Sequence, residues 1–131
     1  MRLQINDGGR QAAGFKGTAG DCFCRAVSIA TERDYREVYK LINSLGGNAR
    51  TGVMKKVADK VMHELGWEWV ATMGIGTGCT THLRANELPT GKIIVRLSRH
   101  FAAVIDGVLH DNHDSRRGGN RCVYGYWRKR S

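Results

Sequence analysis

The spacing of apolar positions changes character once along the chain. In the first half it is helical. Phe23, Ala26, Val27 and Ala30 recur at intervals of three and four, which predicts a helix from Cys22 to about Ala30 with Asp21 at its N-cap. Tyr35, Val38, Leu41 and Ile42 predict a second helix. It begins at Asp34, where Asp34 and Glu37 have capping-box spacing, and ends at Gly46-Gly47. Met54, Val57, Ala58, Val61, Met62 and Leu65 mark a third, closed by Gly66. Trp67 to Met73 then reads as a strand, and beyond Pro89 the pattern becomes that of a sheet: Ile93 to Leu97, Phe101 to Ile105, Val108 to Asp111 and Cys122 to Trp127. Helices first and an antiparallel sheet afterwards describe an α+β domain with segregated layers. Residues 1–19 form an irregular lead-in with a short edge strand at Arg2 to Ile5. The glycine- and threonine-rich stretch 74–91 reads as loop with a turn near Leu83 to Leu88.

A length of 131 residues and an apolar content of 41% suit one domain with a single core. The absence of an apolar leader or a membrane-length apolar run predicts a cytoplasmic protein with no membrane partner. In a reducing compartment the four cysteines are then expected as free thiols, metal ligands or a nucleophile rather than as disulfides. The formal charge of +9 invites an acidic partner. The cations are scattered, however, with concentrations only at Arg116-Arg117 and in a basic tail, residues 128–131, so a nucleic-acid partner stays open but is not favoured.

Candidate chemistry starts at Gly20-Asp21-Cys22-Phe23-Cys24-Arg25-Ala26. Cys22 falls at the first helical position, where unpaired N–H groups and the helix dipole favour a thiolate. The glycines just before it are either plain loop or backbone brought close to a substrate carbonyl. Asp106-Gly107 between two apolar runs signals a two-residue hairpin turn that pairs Ile105 with Val108, Val104 with Leu109 and Ala103 with His110. By alternation His100 and Asp111 then become diagonal neighbours on one face, while Asn112 points to the other. A thiol, an imidazole and a carboxylate so arranged make a nucleophile, a base and an orienting group, and need no cofactor. A zinc site is the weaker alternative. Of Cys22, Cys24, Cys79, His82, His110, His113 and Cys122, only Cys79 and His82 have suitable paired spacing.

The segment around Cys22 resembles the nucleophile motif of papain-fold cysteine peptidases, especially the ovarian-tumour type. His100-Phe101-Ala102-Ala103-Val104 with Asp111 is similar to the His and Asp arrangement of peptidase C39-like and papain-like groups. The resemblance runs from about Gly17 to Asp111 and implies a papain-like fold in which Cys22 is nucleophile, His100 base and Asp111 orienter, acting on a peptide or protein substrate. Small proteins of this kind look like those encoded by bacteriophages and bacteria, which would place the chain in a host cytoplasm. The sequence departs from the family patterns at Lys16, where papain and C39 groups carry Gln, and at Ala19, where ovarian-tumour proteases carry Asp. Oxyanion and substrate binding are therefore expected from the backbone of Gly20 to Cys22, Asp21 included, or from Lys16. Cys24 could replace Cys22, and Asn112 could replace Asp111. The competing functional class is an inactive papain-like binding module whose basic surface contacts a host protein or nucleic acid.

Overall fold

The computed structural model describes every residue except Thr18, which leaves that one position of the lead-in outside the description. The order of elements is β1 (Arg2–Ile5), α1 (Cys22–Thr31), α2 (Tyr35–Ser44), α3 (Lys55–Glu64), β2 (Trp67–Ala71), β3 (Lys92–Leu97), β4 (His100–Ile105), β5 (Val108–Asp111) and β6 (Gly125–Lys129), with short 3-10 turns at Ala85–Glu87 and Arg117–Gly119. Helices and sheet are thus mixed in one α+β arrangement. The strands form one six-stranded sheet in the order β1-β5-β4-β3-β6-β2. It is not wholly antiparallel: β1, the expected edge strand, runs parallel to β5.

β3 and β4 lie at the centre because their side chains are apolar on both faces. On one face Ile94, Phe101, Ala103 and Trp127 pack under α1, α2 and α3. On the other, Val95, Val104, Leu109 and Tyr126 are covered by Leu83, Leu88 and Val123, so the stretch read as loop supplies a second, thinner layer. α1 lies between the sheet and α2. It is buried nearly all round, including its polar residues Arg25 and Ser28, as expected of a helix flanked by a sheet and another helix.

The two hairpins that bear on the site follow from local chemistry. Asp106 and Gly107 both take positive φ, 48° and 77°, which suits a type I′ turn. The β4–β5 register is the expected one, Ala103 opposite His110, Val104 opposite Leu109 and Ile105 opposite Val108. Leu97 opposite His100 closes the β3–β4 hairpin through Ser98 and Arg99. Farther along the sheet Gly125 is needed for close approach. A Cβ there would sit 2.3 Å from the Trp69 ring, which itself packs on Trp127 at 4.6 Å.

Two further expectations are corrected. The last strand starts later and runs to Lys129, so Arg128 and Lys129 belong to the sheet and only Arg130 and Ser131 extend past it. Cys79 and Cys122 are joined in a disulfide, leaving Cys22 and Cys24 as the free thiols. Spacing along the chain could not show this. The pair is 43 residues apart and is brought together by the bridge between His82 and Cys122. We expect Cys79→Ser to lower the unfolding free energy by about 2–4 kcal/mol, from the loop entropy the cross-link removes. A denaturant titration of oxidised protein against the variant checks it, and alkylation of the unfolded, unreduced chain should count two thiols.

Candidate active site

The β4–β5 hairpin and the start of α1 meet at one edge of the helical layer, and the meeting point joins the residues singled out above. His100 begins β4 and Asp111 ends β5, on the same face by the register of the hairpin. His100 Nε2 donates to Asp111 Oδ2 at 2.6 Å. Cys22, half-buried as the first residue of α1, lines one cleft with His100 and Phe101. With Nε2 taken by the carboxylate, Nδ1 is the ring nitrogen left for the thiol.

Electrostatics polarise this row. Burial pushes the Cys22 thiol up, but the neighbouring His100, the Phe101 backbone and the positive charge of Arg25 outweigh it and hold the thiol below its ordinary value of 9.0. Burial pulls His100 down, yet Asp111 on one side and Cys22 on the other raise it from 6.5 to about 9. Asp111 is 3% exposed, and burial alone would raise it. Its bond to His100, with those from Ser115 and the Asn112 backbone, lowers it instead from 3.8 to about 2. Imidazolium and carboxylate are therefore the favoured charge states of His100 and Asp111 near neutral pH, and the positive charge beside Cys22 pulls its thiol toward the thiolate.

The carboxylate is fixed on all sides. Ser115 Oγ donates to Oδ2 at 2.7 Å, while the Asn112 N–H at 2.8 Å and Arg25 Nη2 at 3.4 Å donate to Oδ1. Arg25 also donates to Asp21, one helical turn earlier. Asp21, 1% exposed, accepts from Tyr35 Oη at 2.6 Å, and Arg10 donates to the same hydroxyl at 2.9 Å. A buried row of charge thus runs from Arg10 through Asp21 and Arg25 to Asp111. Sequence reasoning missed Arg25, Tyr35, Arg10 and Ser115 as parts of the site. The i,i+4 spacing of Asp21 and Arg25 was visible, but such pairs are ordinarily surface pairs, and nothing in the sequence marked Ser115.

The remaining candidates separate. Asp21 precedes α1 but its side chain makes no cap hydrogen bond, being turned into the buried network instead of toward a substrate. The N–H groups of the first turn of α1 are thereby left without a side-chain cap, next to Cys22. Gly20 lines the same cleft as Cys22, whereas the exposed Lys16 lines a neighbouring hollow with Arg10 and Phe15, and its carbonyl accepts from Arg10 at 3.1 Å. Cys24 is wholly buried, and burial raises its thiol to about 12, which removes it as a nucleophile. Asn112 is bonded to His113 at 2.6 Å rather than to His100.

For metal, the disulfide takes Cys79 and Cys122 out of the zinc alternative. Among the described residues, His100, Asp111 and His113 do place donor atoms within 4.8 Å of one another. Both oxygens of Asp111 are already engaged, one of them by a guanidinium that would repel a cation, so this donor set fits an orienting carboxylate better than a metal ligand. Two clefts open on either side of Cys22. One of about 520 Å³ is walled by Val53, Met54, Leu97 and Tyr124, the other of about 460 Å³ by Gly20, Asn112 and His113, and Cys22, Gly52, Arg99 and His100 border both. No described helix is long and apolar enough to cross a membrane. The chain matches no protein-family model, and no curated protein or solved structure matches it.

Proposed function

We propose that the protein is a cysteine-dependent acyl-transfer hydrolase of papain-like architecture, a peptidase in its simplest form, with Cys22, His100 and Asp111 as its reacting row. The observation that carries this reading is the bond from Asp111 to His100 on the cleft that also holds a half-buried thiol at a helix N-terminus. Cys22 thiolate attacks the carbonyl carbon of an amide, and the first-turn N–H groups of α1 receive the developing oxyanion. His100 delivers its proton to the departing amine as the C–N bond breaks, leaving a thioester. A water then loses a proton to His100 and attacks the thioester. The C–S bond breaks, the acid product leaves, and the thiolate and imidazolium are restored. Asp111 stays ionised throughout and holds the imidazole plane. The paired clefts support an extended substrate crossing the thiol.

The test is to incubate the protein with a denatured protein mixture and count new peptide termini by mass spectrometry. The wild type should generate termini sharing a sequence preference, and Cys22→Ala should generate none. Equal background from both would contradict the hydrolase.

A further inference from the structure

We propose, on the reading of Cys22 as the nucleophile, that the cleft selects acidic peptide segments, with carboxylate side chains flanking an apolar residue near the bond attacked. The larger cleft is lined by Lys55, Lys56, Arg96 and Arg99 and by no carboxylate, although the chain carries 12 acidic residues. The smaller cleft adds His113 and the inward-paired Arg25, again with no Asp or Glu. Lys55 is neutralised by Asp59 at 2.8 Å and stacks 4.1 Å from the centre of Trp69. Lys56, Arg96 and Arg99 pair with no carboxylate among the described residues. Three cations are thus unneutralised beside the thiol, and like charges confined to a cleft focus their field on an incoming anion.

Arg99 sharpens the assignment. It occupies the hairpin turn directly before His100 at φ 55°, a conformation that glycine or asparagine adopts at lower steric cost. A long cation held there, bordering both clefts, is placed where it can meet a carboxylate on either side of the reacting bond. Val53 and the 78% exposed Met54 give the same cleft an apolar wall. That wall suits an aliphatic or aromatic side chain. A nucleic acid would need stacking surfaces instead, and the aromatic rings of this cleft are the buried Phe101 and the half-buried Tyr124, which already lies against Arg96 at 5.8 Å.

The experiment compares alkylation of Cys22 by iodoacetate and by iodoacetamide, with site-resolved mass spectrometry. Both reagents attack the same thiolate, so their rate ratio reads the local potential and not the thiolate fraction. At about 0.01 M ionic strength the ratio should exceed that of free cysteine roughly fivefold or more, and shrink at about 0.15 M. Arg99→Asn, which suits the turn, should lower the ratio about threefold, and Arg99→Asn with Lys56→Gln should lower it further. An acetylated, amidated peptide alternating glutamate and leucine should slow alkylation by iodoacetamide, while its lysine counterpart and a short thymidine oligonucleotide should not. A ratio unmoved by the substitutions would overturn the acidic preference, and protection by the oligonucleotide equal to that by the peptide would overturn the peptide assignment. Slow iodoacetamide labelling with ordinary pH dependence would instead remove the nucleophile reading, with the ratio still measurable.

Discussion

Asp111→Ala is expected to lower the unfolding free energy by about 3–5 kcal/mol, because it leaves buried positive charge without its partner. Arg25, 5% exposed, loses one of its two carboxylates, and His100, 8% exposed, loses the bond that holds its ring. Without Asp111 only Cys22 is left to oppose burial, so the His100 pKa should fall from about 9. The positive charge beside the Cys22 thiol weakens with it. Asp111→Asn should separate the two effects: its carbonyl can still accept from His100, so it should cost less stability than Asp111→Ala while lowering the His100 pKa as well. The pH dependence of stability gives a second handle. The folded-state pKa of Asp111 is depressed, so its contribution is present above about 3.8 and is lost as pH falls toward about 2. The raised pKa of His100 acts oppositely, its contribution being present below about 6.5 and lost as pH rises through about 9. Denaturant midpoints from pH 2 to 10 should show the acid limb in the wild type and a flatter one in Asp111→Ala.

Asp21→Ala is the second large effect. As an ordinary N-cap, Asp21 would be worth about 0.5–2 kcal/mol. It makes no cap bond, and its oxygens are held by Arg25, by Tyr35 at 2.6 Å and by Arg10 at 3.8 Å. Two buried guanidinium groups therefore depend on it, and we expect a loss of about 3–5 kcal/mol. A loss near 1 kcal/mol in a urea titration would return Asp21 to a capping role and dissolve the buried row of charge. Tyr35→Phe, which deletes one hydroxyl from the same network, should cost about 1–3 kcal/mol.

These two residues also show what could be read from the chain before folding. Asp111 and His100 were legible because Asp106-Gly107 fixes a hairpin register and strand alternation then dictates which side chains share a face. Cys22 was legible because apolar spacing sets where α1 begins. The role of Asp21 was not legible, since the same residue before a helix is usually a cap and only tertiary packing turned its side chain inward. Arg25 escaped for a related reason: a cation on a helix defaults to solvent, and its burial depends on Asp111 at the end of β5 and on the lead-in near Gly8 closing over it. The parallel pairing of β1 with β5 and the Cys79–Cys122 cross-link join positions far apart in sequence, where no periodicity links the partners. The second apolar layer over the sheet was hidden because Leu83 and Leu88 lie in a stretch without a repeating pattern.

The most direct test of the central claim is the rate of Cys22 alkylation by iodoacetamide against pH, in wild type and in His100→Ala. A polarised pair predicts fast labelling of the wild type with a thiol inflection below 9.0 and a second change near 9, where the imidazolium gives up its proton. In His100→Ala burial loses its main opponent, so a single inflection should move to the ordinary thiol value or higher. Two superimposable curves with one ordinary inflection would contradict the account.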